Sequence, residues 1–329
     1  MKGIALKEFG GVDHCALTDI PDKRVSTGEV LVKVRAAGIS FVDLLVIEGK
    51  YQVKPPLPFC PGKEAAGIVV ELGGGVKDLA VGDRVMVLVE QGAFAQYVLA
   101  KPHQCFVLPD TMDFTIGATF GLSYQTAHFA IRDRARAKSD DTIFVTGAGS
   151  GVGLATVELS KAFGNRVLAG VSSNSKGERA KAAGADEIVD LSSALDRDSV
   201  RDQVRRYTGG AGANVVIDVV GGDVFDSAIR CVAWRGRIVV VGFAAGRIPT
   251  IKANYLLLKN IEATGLDWSD YPVNAPNLVM EAQDEIFSLF KRNKIGSHVD
   301  RIMPFTNFSE AVRLIQDRKV NGRIALSWL

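Results

Sequence analysis

Cysteine is scarce in this sequence, and long apolar runs are missing from it. The 329 residues include four cysteines, whose scattered positions fit neither a disulfide framework nor a four-cysteine zinc site. No apolar run approaches the roughly 18 residues that a membrane-spanning helix needs, and the first residues are too polar for a signal peptide. These absences predict a cytoplasmic protein with no membrane partner.

An excess of charge of either sign is also absent. The 39 basic and 37 acidic residues leave a formal net charge of +2, which does not favour a polyanion as the main partner. The densest basic stretch, Arg132–Lys138, also contains Asp133 and two alanines, so we predict that it is the solvated end of a helix. We therefore expect no nucleic-acid partner.

Residues 1 to about 120 show the two-residue periodicity of strands. Apolar and charged side chains alternate in Val30–Arg35, and strand-like segments follow at Gly67–Gly73 and Arg84–Val89. Pro55–Pro58 predicts a rigid loop, because proline cannot pair within a central strand. We predict a β-rich domain over residues 1–120.

From about residue 141, strands alternate with helices. Thr142–Thr146 is an apolar run of buried-strand length, and Val152, Ala155 and Leu159 lie on one face of the helix after it. A second helical stripe extends from Phe225 to Val232, and further apolar strands are predicted at 166–171, 215–220 and 237–242. This alternation predicts the α/β class, with a doubly wound parallel sheet (the Rossmann fold) that binds a nucleotide.

The chain returns to mixed elements after about residue 266. Helices are predicted at 277–292 and 309–318, and a last strand at 323–327. This tail is too short for a third domain, so we expect it to pack on the N-terminal part. The predicted organisation is a β-rich segment over residues 1–120, a nucleotide-binding domain over 121–266 and a returning segment over 267–329.

A glycine cluster, Gly147–Gly153, joins the first apolar strand to its helix. Small residues let the backbone approach a pyrophosphate, whose charge is attracted by the amides and dipole of the helix start. Glycine marks any tight turn, but a cluster at a strand-to-helix junction is typical of dinucleotide binding. We expect the pyrophosphate to lie against Gly149, Ser150, Gly151 and Val152.

The segment after the second strand indicates which dinucleotide binds. NAD sites place an acid there to hold the ribose 2′-hydroxyl, whereas Val171–Lys176 contains no acid. Ser172, Ser173 and Lys176 suit a 2′-phosphate, which a carboxylate would repel. The serines could instead only cap the next helix while Lys176 is solvated. Both arrangements are compatible, and we expect NADPH as the cofactor.

Several motifs along the chain resemble those of one enzyme superfamily, the medium-chain dehydrogenases/reductases. Gly147–Ala155 resembles its cofactor motif. Its GroES-like catalytic domain is matched by Pro61–Val70, Val81–Val85 and Gly92–Tyr97. The zinc-free NADPH:quinone oxidoreductase branch is matched by Gly49–Gln52, Leu256–Asn260 and Asn321–Arg323.

The resemblance implies a homodimer, with the cofactor in a cleft between a GroES-like domain and the cofactor domain. It also implies that Ser172, Ser173 and Lys176 hold the 2′-phosphate and that Arg318 lies at the adenosine end of the cofactor. The nicotinamide is expected to be flanked by Gly242, Phe243, Leu266 and Trp268. The substrate pocket is expected to include Ser40, Tyr51 and Thr126, although Tyr51 could be no more than a half-buried aromatic residue.

Three positions depart from the relatives. Where zinc-dependent members have histidine and cysteine ligands, this chain has Lys63 and Ser40, so we expect no catalytic zinc. The quinone reductase branch usually has asparagine at the Ser40 position. Leu191 stands where several relatives place a tyrosine beside the 2′-phosphate.

These features predict a zinc-independent NADPH-dependent oxidoreductase that reduces a small-molecule quinone. A conjugated carbonyl acceptor needs no Lewis-acid metal, and NADPH carries the chemistry. One alternative is the reduction of an activated carbon–carbon double bond in an enone, alkenal or enoyl-CoA. Another is a non-enzymatic binding protein similar to the lens crystallins of this family, which the intact phosphate cradle disfavours.

Overall fold

The computed structural model describes residues 1–192 and 196–328, and in it the chain divides into two compact units. The first unit contains residues Met1–Leu122, Pro272–Gln283 and those from Ser297 onward. The second contains Ser123–Tyr271 and Asp284–Gly296. In the described part of the chain, no helix is both long enough and apolar enough to cross a membrane.

The strands and helices are numbered in chain order. The strands are β1 (Lys2–Leu6), β2 (Cys15–Asp19), β3 (Val30–Ile39), β4 (Glu64–Leu72), β5 (Arg84–Leu88), β6 (Tyr97–Ala100), β7 (Cys105–Val107), β8 (Thr142–Thr146), β9 (Arg166–Val171), β10 (Glu187–Asp190), β11 (Ala213–Asp218), β12 (Val232–Val240), β13 (Glu262–Gly265), β14 (Val299–Pro304) and β15 (Arg323–Ser327). The helices are α1 (Phe41–Ile47), α2 (Phe114–Phe129), α3 (Gly151–Ala162), α4 (Asn174–Ala182), α5 (Arg197–Tyr207), α6 (Gly222–Cys231), α7 (Ala253–Lys259), α8 (Tyr271–Asn274), α9 (Pro276–Lys291) and α10 (Phe308–Gln316).

The first unit is built on a mixed sheet with the strand order β14-β15-β3-β4-β5-β7, and β6 also pairs with β3. In β3, Val32 and Val34 are buried while Lys33 and Arg35 are exposed, as the alternation of its sequence predicts. Strand β15 pairs antiparallel with β3 and parallel with β14. The returning tail therefore supplies strands to the sheet of the N-terminal segment.

The second unit is built on a sheet with the strand order β10-β9-β8-β11-β12-β13, and its described pairings are parallel. Consecutive residues of β8 and β11, such as Ile143, Phe144 and Val145, are fully buried. Because consecutive side chains of a strand point to opposite faces, both faces of the sheet are covered. The predicted doubly wound α/β fold is confirmed.

The strand order reverses between β8 and β11. From β8 the chain proceeds outward to β9 and β10, and it then returns to β11 on the other side of β8. A crevice forms at such a switch point, outside the carboxyl ends of the strands, and nucleotides bind there in this fold. The loop after β8 is the glycine cluster.

The predicted bounds of β8, β9 and β15 agree with the structure. The helix predicted from Phe225 to Val232 ends one residue earlier than expected. Helix α6 stops at Cys231, and Val232 begins β12, where it pairs with Ala213 of β11. An apolar residue at that position satisfies a helix stripe and a buried strand equally well, so periodicity alone could not place it.

Candidate functional site

The loop between β8 and α3 has the geometry of a phosphate cradle. Gly147 has a φ of 63°, in the left-handed region that glycine adopts without strain. A Cβ on Gly153 would lie 2.2 Å from the carbonyl oxygen of Gly147, so the first turn of α3 packs directly on the loop. This close packing holds the helix N-terminus, with its amides, at the switch point.

Ser150 is the N-cap of α3. Its hydroxyl accepts a hydrogen bond from the amide of Gly153 at 3.2 Å and donates one to the carbonyl of Gly147 at 2.8 Å. The serine thus fixes the shape of the loop, which also contains Gly149, Gly151 and Val152, the residues predicted to contact a pyrophosphate. The residues of the cradle therefore fit the phosphate groups of a dinucleotide.

The side chain of Lys176 packs on this loop. A Cβ on Gly149 would lie 2.7, 2.8 and 3.0 Å from the Cβ, Cγ and Cδ atoms of Lys176. The aliphatic stem of the lysine therefore passes over Gly149, and only glycine at that position accommodates it. This contact, between residues 27 positions apart in the sequence, places an ammonium-bearing side chain beside the phosphate cradle.

Two exposed hydroxyls accompany this lysine. Ser172 and Ser173 follow β9 and are exposed. Ser173 stands at the N-cap of α4 without a side-chain capping bond, and its Oγ lies 3.3 Å from that of Ser175. The capping role that the sequence left open is therefore not made by the Ser173 hydroxyl, which suits recognition of an anionic group.

Leu191 belongs to the core beneath this corner. It is buried, and a Cβ on Gly170 of β9 would lie 3.0 Å from its Cδ1 atom. The leucine side chain offers no hydrogen bond to a phosphate. The polar side chains of the described residues at this corner are those of Ser172, Ser173 and Lys176, for which the sequence predicts contact with a 2′-phosphate.

The residues predicted to flank the nicotinamide follow neighbouring strands of the same sheet. Gly242 and Phe243 come after β12, and Leu266 comes after β13, with its amide 2.9 Å from the carbonyl oxygen of Val240. Trp268 is buried and its indole nitrogen donates to the amide oxygen of Gln125 at 3.0 Å.

Gln125 lies on α2, next to Thr126, which is also buried. The structure therefore brings Trp268 to the segment of α2 that carries Thr126. These two residues are 142 positions apart in the sequence, and both lie in the second unit.

The sequence alone did not predict a role for Asp218, which lies at the end of β11. It is fully buried and accepts hydrogen bonds from the hydroxyl of Thr146 at 2.5 Å and from the amide of Gly221 at 2.9 Å. Burial raises the pKa of its carboxyl, which the hydrogen bonds oppose. This residue ties the ends of β8 and β11 together at the switch point. An acid at the end of an otherwise apolar strand was the signal that could have revealed it.

Ser40, in the first unit, begins α1. Its backbone amide and its hydroxyl each donate to Oδ2 of Asp43 at 2.7 Å, and the two residues form a capping box at the start of α1. Asp43 is almost fully buried, and this burial raises the pKa of its carboxyl. Asp43 thus closes the first turn of the helix and orients the serine.

A buried ion pair lies behind this turn. Arg323 of β15 donates to Glu64 of β4, which also accepts from the amide of Leu122 at 3.2 Å. Burial lowers the pKa of Arg323 to about 10, and the carboxylate of Asp43 opposes that shift. The pair links two strands and was not foreseen from the sequence, because 259 positions separate its partners.

Tyr51 lies in the loop after α1 and is half-buried. Its amide donates to the carbonyl of Leu45 at 3.1 Å, which fastens the loop to the helix. Lys63 Nζ lies 4.8 Å from the centroid of the tyrosine ring and 2.5 Å from Oε2 of Glu90.

Arg318 follows α10 in the first unit and has a φ of 58°. Ser40, Tyr51 and Arg318 therefore lie in the first unit, whereas Thr126 and the predicted residues of the cradle, the 2′-phosphate corner and the nicotinamide side lie in the second.

Comparison with known proteins identifies the family. Residues 26–110 match the model of the alcohol dehydrogenase GroES-like domain, and residues 151–284 match that of the zinc-binding dehydrogenases. A quinone oxidoreductase-like protein 2 homolog of Nematostella vectensis is 37% identical over 308 residues, which cover 93% of this chain and 83% of that protein. The chain belongs to the zinc-free quinone oxidoreductase branch of the medium-chain dehydrogenase/reductase superfamily. It is an oxidoreductase of this family.

Two solved structures agree with this assignment. The Escherichia coli quinone oxidoreductase, solved in complex with NADPH, superimposes with a TM-score of 0.91 at 26% identity, covering 99% of this chain and 100% of that one. A mycobacterial protein, also solved in complex with NADPH, has a TM-score of 0.92 at 28% identity, again covering 99% and 100%. The predicted family and its GroES-like and Rossmann parts are confirmed.

The donor set of this family member does not fit a zinc ion. Zinc is bound by thiolates, neutral imidazoles and carboxylates, whereas the positions of the zinc ligands carry Ser40 and Lys63. The hydroxyl of Ser40 donates to Asp43, and an ammonium has no lone pair to offer. Among the described residues, no group of three or more histidines, cysteines or acids is placed to hold a metal ion.

Proposed function

We propose that this chain is an NADPH-dependent reductase whose physiological acceptor is a quinone. The observation that carries the cofactor assignment is the packing of Lys176 on Gly149, which sets a lysine and two serine hydroxyls beside the phosphate cradle. NADPH supplies the hydride when it is bound. The names of the E. coli and Nematostella relatives support a quinone as the acceptor.

The chain's residues bind and orient the reactants in this proposal. Backbone at Gly149, Ser150, Gly151 and Val152 holds the pyrophosphate, and the dipole of α3 attracts its charge. The 2′-phosphate is held by Ser172, Ser173 and Lys176, and the adenosine end by Arg318. Gly242, Phe243, Leu266 and Trp268 flank the nicotinamide.

The acceptor side is assigned to Ser40, Tyr51 and Thr126. Tyr51 donates a proton to the acceptor's reduced oxygen, because a phenol is a stronger proton donor than the hydroxyl of serine or threonine. The hydroxyl of Ser40 accepts from a hydroxyl of the acceptor or of the cofactor, since its own proton is engaged by Asp43. Thr126 lines the pocket beside the nicotinamide.

The test is a panel of acceptors with both cofactors. Oxidation of NADPH and NADH is followed by absorbance over quinones, enones, alkenals and enoyl-CoAs at fixed enzyme concentration. The proposal expects the highest kcat/KM for NADPH with a quinone. Faster turnover of enones or enoyl-CoAs than of every quinone would make the enzyme a double-bond reductase, and faster oxidation of NADH would refute the cofactor assignment.

We also propose that the chain forms homodimers. Strand β13 ends the parallel sheet on one side, and such an edge can pair with a second copy. Light scattering on the purified protein tests this proposal, and a monomeric mass would contradict it. The cytoplasmic location and the three-segment division at residues 120 and 266 stay predictions.

A further inference from the structure

Lys63 is a buried cation to which the proposed reaction assigns no role. Its side chain is only 5% exposed. The carbonyl oxygen of Lys63 accepts from the amide of Val89 at 2.8 Å, so the segment before β4 runs alongside the end of β5. This pairing brings Glu90 next to the lysine, and the carboxylate holds the ammonium at 2.5 Å.

The ion pair alone does not account for this burial. The side chain of Glu90 is 49% exposed, so a solvated lysine could form the same pair at no desolvation cost. The ammonium instead lies 4.8 Å from the centre of the Tyr51 ring. A desolvated cation at that distance is attracted to the negative face of the ring.

The charge also acts on the phenol. A cation next to the ring stabilises the phenolate relative to the phenol, because opposite charges attract most strongly where water is excluded. The charged groups around the pair are Glu90, the carboxylate of Asp43, which interacts with both Lys63 and Arg323, and Glu64, which is paired with Arg323. Of these groups, the Lys63 ammonium is placed over the Tyr51 ring.

We propose that Lys63 is a positioning residue that acts through Tyr51: anchored by Glu90, its ammonium holds the ring and makes the phenol a stronger proton donor. This inference rests on the proposed function, because it requires Tyr51 to contact the acceptor. The acceptor receives a hydride from NADPH and a proton from the phenol. The phenolate that remains is stabilised by the ammonium and regains its proton from water.

A double-mutant cycle tests the inference. The variants are Lys63→Met, which keeps the length of the side chain without its charge, Tyr51→Phe, and the double variant, with an enone as acceptor. Lys63→Met is expected to lower kcat about three- to tenfold and to leave the KM for NADPH unchanged. The double variant is expected to be no slower than Tyr51→Phe alone, because Lys63 has no phenol left to act on. Lys63→Arg is expected to restore most of the loss.

The controls separate this role from a structural one. Arg84 lies 4.9 Å from the ring of Phe114 in the same unit and donates to the carbonyls of Asp110 and Met112. Arg84→Met therefore removes a cation–ring contact and two backbone contacts that the reaction does not use, and it is expected to keep the wild-type kcat. If Lys63→Met does not fold, Glu90→Gln takes its place in the double-mutant cycle. This substitution weakens the ion pair that holds Lys63, and the Glu90 side chain is half-exposed. It is then expected to lower kcat in the presence of Tyr51 and not in Tyr51→Phe.

The possible outcomes distinguish a failure of this inference from a failure of the proposed function on which it rests. If the wild-type enzyme is active and the losses of kcat in the two single variants add up in the double variant, the inference is overturned and the proposed function stands. The same would follow if Lys63→Met behaved like Arg84→Met. Wild-type enzyme that turns over no acceptor of the panel would overturn the proposed function and the inference together.

Discussion

Replacing Lys176 by methionine removes the ammonium and keeps the stem that packs on Gly149. A charge-assisted hydrogen bond contributes about 1.5–3 kcal/mol, which corresponds to roughly 12- to 160-fold in affinity. Lys176 is partly exposed, so solvent screening reduces the contribution of its ammonium below this range, and in the proposed site Ser172 and Ser173 still donate to the phosphate. We expect the KM for NADPH to rise about five- to tenfold and the KM for NADH to stay the same.

Steady-state kinetics with both cofactors, together with fluorescence titration of each, provide the measurement. Lys181→Met is the matched control, because Lys181 lies on the same helix and donates to the carbonyl of Asp186. It should leave both cofactors unaffected. Equal losses with NADPH and NADH in Lys176→Met would refute the reasoning, since the lysine would then act on the shape of the loop and not on the phosphate.

Three further results are expected. Gly153→Ala should lower stability by about 1–3 kcal/mol and weaken binding of both cofactors, because its Cβ would meet the carbonyl of Gly147; an unchanged Tm in calorimetry would contradict this. Tyr51→Phe should lower kcat roughly tenfold, more for enones than for quinones, with an unchanged cofactor Kd. If the variant has the wild-type kcat with every acceptor, the tyrosine is only a packing residue. Activity should survive exhaustive chelation because Ser40 and Lys63 do not bind zinc, and zinc lost in step with activity would overturn this.

The local parts of the site could be predicted from the sequence, and the distant contacts could not. The cradle at Gly147–Gly153 is a contiguous strand-to-helix turn, so its residue types indicate its geometry. The contacts of Lys176 with Gly149 and of Trp268 with Gln125 depend on which strands neighbour each other in the sheet. Periodicity does not specify that order.

Some elements of the fold also have no clear hydrophobic pattern in their sequence. Helix α7 contains three consecutive leucines and has exposed leucines at positions 257 and 258, so it lacks an apolar stripe. Strand β13 has four residues and none of them is buried. Short or weakly patterned segments of this kind are stabilised by their neighbours and not by their own sequence.

The position of β15 has a consequence for how the chain folds. This strand lies between β14 and β3 in the sheet, although nearly the whole length of the chain separates it from β3. Such a pairing raises the contact order of the first unit and slows its formation. During synthesis, the second unit, which is almost contiguous, can fold while β3 still has an open edge. An unpaired strand edge can pair with another chain, so the N-terminal segment is exposed to association until β15 has been made.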